Sequence, residues 1–381
     1  MKTKKFAAAI MTGLMAFSVM SIYTSAEEQM VTSYLTGEQV PESIGRKRAV
    51  ALMIENDSDA VQWQRGISSA DVMYEAMVEG GITRMMGIFE DYQDVDQIMP
   101  IRSSRPYYVY YAREFDAFYG HFGQVIYSVP VLHLPEPYDI AGLPYGEDGQ
   151  DYILNDGSAA YIRDHEGVTG IYTNYDLLQN VIEKCLWRTG YRDDYEGHYQ
   201  FAEDGEMVTL ENGETANVVL PGFSYNHPRF DYNEEDHLYY RSEFGSPQID
   251  HLNGEQLAYS NIIIQECPSI MFDDHYLWTD PVNNGESGNG WFITNGRAER
   301  ITWQKENWDG NEPIQANITS VYTSFDVRKC DFNITRYYDM EGNEITLNQG
   351  KTFVEIVREQ DASHVVISDD PGIDTHITDS Y

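Results

Sequence analysis

Short apolar runs of strand length, separated by turns and by one tyrosine-rich segment, constrain the fold of this chain most strongly. In the first half the runs lie at residues 49–54, 85–89, 98–101 and 115–122. The tyrosine-rich segment begins at Pro106, and proline is favoured at the first position of a helix because its missing N–H would be unpaired there. A second helix is predicted over residues 176–187. Strands that alternate with helices predict an α/β domain with a mixed sheet.

The second half of the chain has a different pattern, with short predicted strands separated by glycine and asparagine turns. This pattern predicts a β-rich, mainly antiparallel second domain. The predicted strands are residues 217–220, 238–243, 257–265, 291–294, 316–324 and 352–357. The predicted organisation is a signal peptide (1–26), a flexible lead-in (27–47), an α/β domain (48–190), a linker region (191–214), a β-rich domain (215–360) and an acidic tail (361–381).

The first residues resemble an export signal. Lysines at positions 2, 4 and 5 precede the apolar stretch 6–23, and Thr24-Ser25-Ala26 offers a small-residue cleavage site. The stretch is also long enough for a membrane span, so cleavage and retention as an anchor both stay open. Glu27 stands where exported lipoproteins carry their acceptor cysteine. We therefore expect an extracytoplasmic protein, secreted or associated with the cell wall, with no lipid anchor and no stable membrane span after cleavage.

The charge and the cysteines limit the partners and the chemistry. A formal net charge of −37 repels nucleic acid, so no nucleic-acid partner is expected. Cys185, Cys267 and Cys330 are far apart and form no Cys-x-x-Cys metal motif. The ten histidines are scattered, and the acidic clusters lack the spacing of a calcium loop. The sequence predicts neither a metal nor another cofactor.

A cationic cluster stands out in this acidic chain. Arg102-Ser103-Ser104-Arg105 precedes Pro106 at the predicted start of a helix, and Arg84 lies in the preceding strand. Arginines beside serines and a helix N-terminus form a typical anion site. The predicted ligand-binding residues are therefore Arg84, Arg102, Ser103, Ser104 and Arg105. The alternative is that these arginines pair with carboxylates of the same chain, such as Glu75, Glu79 or Glu114.

Two residues near the cluster are candidates for acid–base chemistry. Glu79 precedes the Gly80-Gly81 turn, and His121 lies at the end of a predicted strand. Glu79 as general base with His121 as its partner is one catalytic hypothesis. A second makes Ser103 or Ser104 a nucleophile activated by His121, although no nucleophile elbow is present. A plain turn with a capping carboxylate explains Glu79 equally well.

The segment 70–84, followed by 100–107, resembles the signature of the YerB-like family of bacterial exported proteins. The resemblance continues through His121-Phe122-Gly123 and residues 171–174, and in the second half through 260–265, 295–303 and 338–352. It implies two domains of unknown function and an extracytoplasmic location, but no established reaction. Gln248 stands where the family pattern leads us to expect a histidine.

Three functions stay open at this point. The first is a cell-envelope protein that binds an anionic ligand, such as a glycan, a phosphate-bearing polymer or a peptide, at the arginine cluster. The second is an enzyme, a hydrolase or phosphotransferase acting on envelope polymers. The third is a protein-interaction module that acts through the β-rich domain. The expected partner is a cell-wall polymer or an envelope protein.

Overall fold

The computed structural model describes residues 28–132, 138–143, 157–271, 277–279, 287–306 and 333–380. Three features predicted from the sequence lie outside the described residues: the signal peptide 1–26, the strand 316–324 and Cys330. Cys185 is partly exposed and Cys267 is buried. Among the described residues, no helix is long and apolar enough to cross a membrane.

The described residues form many short strands and few helices. The helices are α1 Glu42–Gly45, α2 Pro106–Glu114, α3 Val129–Leu132 and α4 Tyr175–Lys184. Strands of the first half are β1 Met30–Thr32, β2 Gln39–Pro41, β3 Val50–Glu55, β4 Val72–Met77, β5 Thr83–Phe89, β6 Phe118–His121, β7 Asp139–Ala141, β8 Ile162–Arg163 and β9 Ile171–Tyr172.

The second half is built almost entirely from strands. These are β10 Gln200–Phe201, β11 Glu214–Thr215, β12 Val218–Leu220, β13 Arg229–Asn233, β14 Leu238–Glu243, β15 Ser246–Pro247, β16 Ala258–Tyr259, β17 Asn261–Cys267, β18 Ser269–Met271, β19 Leu277–Thr279, β20 Ser287–Thr294, β21 Arg297–Lys305, β22 Thr335–Asp339, β23 Thr346–Leu347, β24 Thr352–Arg358 and β25 Val366–Ser368.

One large mixed sheet runs through both halves of the chain. Its order is β11-β21-β20-β17-β24-β4-β5-β3-β6-β7, with β22 also paired to β21. The halves join where β24 pairs with β4 in parallel, with Thr352 opposite Val72 and Glu355 opposite Glu75. β17 lies parallel on the other side of β24. Three parallel strands therefore begin at the same edge of the sheet.

A second sheet and the helices cover the two faces of the large sheet. The second sheet is antiparallel, has the order β15-β14-β13-β12-β25 with β16 paired to β14, and belongs wholly to the second half. The buried tyrosines of α2 pack on one face with Tyr74, while the other face buries Met73 against α4 and the second sheet. Because both faces are covered, β3 to β5 are buried along their whole length.

The predicted fold class is confirmed: a mixed sheet with helices in the first half and antiparallel-rich sheets in the second. The strands at 49–54 and 85–89 and both predicted helices form within a few residues of the expected bounds. The predicted strand 98–101 is wrong. Its residues make only isolated bridges, of Ile98 to Thr173, Met99 to Arg65 and Ile101 to Ile54. Pro100 has no N–H to contribute to a continuous ladder.

Candidate functional site

The arginines of the predicted site lie beside carboxylates of the same chain. Arg84 is 2% exposed, and its Nη2 lies 3.7 Å from Oε2 of Glu55 at the end of β3. Arg102 donates from Nε to the same Glu55 oxygen. Arg84 also donates from Nη1 to the carbonyl of Ser103, at 3.0 Å. One fully buried carboxylate is therefore shared by two guanidinium groups, of which Arg102 is 24% exposed.

Arg105 pairs with Glu79 at the surface side of the cluster. Its Nε and Nη2 donate to Glu79 Oε2 at 3.0 and 2.8 Å, and Nη1 donates to the Ser104 carbonyl at 2.8 Å. Arg105 is 11% exposed. Glu79 was one of the three carboxylates expected as alternative partners. The other two lie elsewhere, because Glu75 contacts Arg241 and Glu114 contacts Lys305.

The pKa of Arg84 is lowered to about 10 by burial first and by the neighbouring Arg105 second. The pKa of Arg102 is lowered by burial and by Arg105 as well. Arg84 nevertheless stays charged at neutral pH. The cluster thus sets three guanidinium groups against the two carboxylates of Glu55 and Glu79, which leaves an excess of one positive charge.

The serines and His121 sit close to the cluster but are engaged in structural contacts. His121 is fully buried, with Nδ1 2.7 Å from the Gly123 carbonyl and Nε2 2.8 Å from Asp139 Oδ1. Ser104 is buried and accepts a hydrogen bond from the Tyr119 hydroxyl, and the Ser103 hydroxyl donates to the Phe122 carbonyl at 3.3 Å. Both ring nitrogens of His121 are therefore occupied, which disfavours it as a base for either serine.

A cleft between the two halves of the chain is a better-formed concave site, and sequence reasoning missed it. Its volume is about 530 Å³, within the range of small-molecule sites. A smaller cavity of about 200 Å³ adjoins it and shares Leu238 and Ser260. The cleft is lined by Thr36, Glu38, Ser68 and Asp71 from the first half and by Leu238, Tyr240, Glu255, Gln256, Leu257, Ala258, Tyr259, Ser260, Gly350 and Lys351 from the second.

Three lining residues immediately precede the three parallel strands of the large sheet. Asp71 precedes β4, Lys351 precedes β24 and Ser260 precedes β17. The Ser260 N–H donates to the Lys351 carbonyl at 2.9 Å, and the Thr352 N–H donates to the Asp71 carbonyl at 3.1 Å. The parallel pairing thus brings together three positions far apart in sequence. Each is a polar residue that lies one or two positions before a mainly apolar run in the sequence.

Asp71 and Lys351 are the partly buried ionisable groups of this cleft. Asp71 Oδ2 accepts a hydrogen bond from the Glu90 N–H at 2.8 Å. Burial raises the pKa of Asp71 to about 7, the Glu90 N–H counteracts this rise, and the Glu90 carboxylate adds to it. The Lys351 ammonium donates to the Ser68 carbonyl, which ties β24 to the first half. Asp71 can therefore change its charge near neutral pH.

Other contacts fix how the two halves meet beside the cleft. Asp250 is fully buried, and its carboxylate accepts from the Gly66 and Ser68 N–H groups and from the Ser68 hydroxyl, at 2.8 to 2.9 Å. Gln248 donates to Gln64 at 2.9 Å. The Gln248 position that departs from the expected family pattern is thus a buried contact between the two halves.

The described residues contain no group of three or more histidine, cysteine, aspartate or glutamate side chains placed to hold a metal ion. The lining of the cleft offers carboxyl groups, one ammonium group, hydroxyl groups and backbone groups.

Models of known protein families match both halves of the chain. The N-terminal domain described as "Protein of unknown function (DUF3048)" matches residues 35–188, and the corresponding C-terminal domain matches residues 218–317. The chain belongs to the YerB-like family. It is 27% identical over 282 residues to the "Putative lipoprotein YerB" of Bacillus subtilis (strain 168), an alignment that covers 72% of this chain and 78% of that protein.

The crystal structure of the YerB protein from Bacillus subtilis has the same fold. It superposes with a TM-score of 0.68 at 21% identity, over 89% of this chain and 99% of that one. The name of that relative, a putative lipoprotein, is consistent with the predicted extracytoplasmic location. The predicted absence of a lipid anchor remains a prediction, because residues 1–27 lie outside the described part of the chain.

Proposed function

We propose that this YerB-like protein binds a ligand of the bacterial cell envelope in the cleft between its two halves. The observation that carries the proposal is the meeting of Asp71, Ser260 and Lys351 at the wall of one cavity, at the start of three parallel strands. Ligand sites occur preferentially at such domain interfaces. The predicted export signal and the similarity to a putative lipoprotein support the envelope as the source of the ligand.

The enzyme alternative has less support than binding. Glu79 is ion-paired with Arg105, and both nitrogens of His121 are occupied, so neither predicted acid–base residue is free for proton transfer to a substrate. Asp71 has a pKa suited to a general base. The described lining of the cleft, however, gives it no nucleophile and no second titrating group within hydrogen-bond reach.

Anion binding at Arg84, Arg102, Ser103, Ser104 and Arg105 is the second candidate. The excess of one guanidinium group over the carboxylates of Glu55 and Glu79 favours it. Arg84 is too buried to reach a polymer, so Arg102 and Arg105 are the residues that would contact one. The Arg102→Ala/Arg105→Ala double variant tests this candidate: unchanged retention on purified wall polymer would remove it.

The proposed cleft is tested by filling it. Ala258 is partly exposed and lines the cavity, so the indole of Ala258→Trp would occupy space needed by a ligand. Ser363→Trp adds the same side chain at an exposed position outside the lining and serves as control. Co-sedimentation with insoluble cell-wall material is the measurement. We expect Ala258→Trp to lose most of its retention and Ser363→Trp to keep it.

Tyr240→Ala is the second cleft variant, in case Ala258→Trp does not fold. It removes a partly exposed side chain from the cleft wall and leaves the strand pairing of β14 intact. Thermal unfolding establishes which variants are folded. Equal retention of the folded cleft variants and the control would overturn the proposed function.

A further inference from the structure

The cleft and the smaller cavity beside it are bordered by the same two stretches of chain. Residues 236–238 line the smaller cavity, and Leu238 and Tyr240 line the cleft. On the second border, residues 348–349 line the smaller cavity and residues 350–351 line the cleft. Two continuous segments therefore run from one cavity into the other.

Residues 258–260 lie between these two segments. Tyr240 of β14 pairs with Ala258 of β16 on one side. On the other side the Ser260 N–H donates to the Lys351 carbonyl at 2.9 Å. Ser260 lines both cavities. The two cavities are thus two parts of one groove, with residues 258–260 between its borders.

A hydrogen bond links a side chain of the cleft to a side chain of the smaller cavity. The Tyr240 hydroxyl donates to Asp236 Oδ2 at 2.6 Å, and Leu238 lies between these residues and lines both cavities. The bond restrains the tyrosine where the two cavities meet. A tyrosine ring offers a ligand a flat apolar face beside a polar group.

The charges of the groove disfavour an anionic polymer. Its lining carries one lysine, Lys351, against three carboxyl groups in the cleft and two in the smaller cavity, those of Glu38, Asp71, Glu255, Glu206 and Asp236. Phosphate groups would meet charges of their own sign there. Phosphate-bearing polymers are therefore poor candidates for this groove.

The strand pairing around the groove disfavours an extended peptide. Extended peptides are commonly bound by addition to a free strand edge. β14 pairs with β13 and β16, β17 with β20 and β24, and β24 with β17 and β4. These three strands have partners on both sides, so they offer no free edge to a peptide backbone.

We infer that the groove binds a linear, uncharged glycan that spans both cavities. This inference rests on the proposed function and names the class of its ligand. Each sugar hydroxyl both donates and accepts a hydrogen bond, which suits a lining of carboxyl, amide and hydroxyl groups. Tyr240 offers its ring to the face of a sugar at the junction of the cavities.

Binding should depend on the length of the glycan. The probes are the disaccharide and the pentasaccharide of N-acetylglucosamine, with poly(glycerol phosphate) and acetyl-Ala-Ala-Ala-amide as the anionic and peptide alternatives. Titration calorimetry with the whole chain measures all four. We expect the pentasaccharide to bind about tenfold tighter than the disaccharide, because only the longer probe reaches both cavities.

The smaller cavity is tested by narrowing it. Met207 lines it and is 52% exposed, so an indole at this position fills the cavity without disturbing the core. Met207→Trp should lower the affinity for the pentasaccharide to that for the disaccharide and leave the disaccharide unchanged. Met340→Trp makes the same change at a 67%-exposed position outside the lining and should change neither.

Equal affinity for the two oligosaccharides, or failure of both to bind, would overturn the inference. Tighter binding of poly(glycerol phosphate) or of the peptide overturns it also. If Met207→Trp keeps the preference for the pentasaccharide, the smaller cavity is no part of the site and the inference is wrong. Retention on wall material decides the proposed function separately, because that measurement does not depend on these probes.

Discussion

Glu75 and Glu355 lie directly opposite each other on parallel strands, one from each half of the chain. Both are fully buried. Glu75 accepts hydrogen bonds from Asn56 and Asn226, at 2.9 and 2.7 Å, and from Arg241. Neither oxygen of Glu355 accepts a hydrogen bond from an N–H group or a hydroxyl group, and its carboxyl group lies in hydrogen-bonding reach of the Glu75 carboxyl group. The junction between the halves therefore contains two adjacent carboxyl groups, and only one of them is stabilised as an anion.

Replacement of Glu355 by glutamine should stabilise the protein at high pH. Burial, followed by the charge of Glu75, raises the pKa of Glu355 well above its usual range. A carboxyl group whose pKa is raised by folding contributes stability at pH values below its pKa in the unfolded chain, which is about 4.3 for glutamate. That contribution is lost as the pH rises through the folded pKa. Glu355→Gln carries no ionisable group and avoids the loss.

We expect the free energy of unfolding of Glu355→Gln to match the parent at pH 4 and to exceed it by about 1 kcal/mol or more at pH 8. Urea unfolding at the two pH values measures it. Glu359→Gln, at an exposed position after β24, should show no such trend. A difference between Glu355→Gln and the parent that does not vary with pH would contradict the account.

Removal of Arg241 should destabilise the junction strongly. Its guanidinium is fully buried and contacts Glu75, Glu243 and Gln248. Arg241→Met leaves two carboxylates buried without a cation, and breaking a buried ion pair costs about 3–5 kcal/mol. Arg300→Met breaks the pair between Glu266, which is 8% exposed, and an arginine side chain that is 39% exposed and partly solvated, so it should cost less than Arg241→Met. Equal losses in the two variants, measured by urea unfolding, would argue against a buried network.

Asp250 should contribute more to stability than Asp339, which accepts a similar number of hydrogen bonds but only from residues of its own turn. Asp250→Ala leaves the Gly66 and Ser68 N–H groups unpaired, and an unsatisfied buried donor costs about 1–3 kcal/mol. Asp339 also accepts several hydrogen bonds, from Glu341 and Asn343, but it is partly exposed and its bonds stay within one turn. Asp339→Ala should therefore cost less. Thermal unfolding that ranks the two variants in the reverse order would contradict this role.

Local sequence patterns predicted several of the helices and strands, but not how the halves combine. The helix at Pro106 and the strand at 85–89 depend on proline geometry and on apolar runs, which are local. The pairing of β4 with β24 joins residues about 280 positions apart, and a period-2 pattern carries no information on partners. The tyrosines of α2 also show what a local pattern leaves open, namely whether a segment is buried or exposed. They are buried core residues, whereas a tyrosine-rich segment also suits a binding surface.

The candidate site was predictable only in part for the same reason. Arg84, Arg102 and Arg105 lie close together, and the pairing of Arg105 with Glu79 was one of the open alternatives. Glu55 was not anticipated as a partner, although it ends a fully apolar strand, where a charged residue requires a counter-ion. Asp71, Ser260 and Lys351 each precede an apolar run, but only the parallel pairing of β17, β24 and β4 brings them together.

Hydrogen–deuterium exchange in the presence of solubilised cell-wall fragments tests the cleft against the arginine cluster in one measurement. If the cleft binds the ligand, exchange should slow at residues 255–260 and 350–351, which line it, and stay unchanged at residues 79–84 and 102–105. Slower exchange at 79–84 and 102–105 alone, or no change in either region, would contradict the central claim that the cleft is the ligand-binding site.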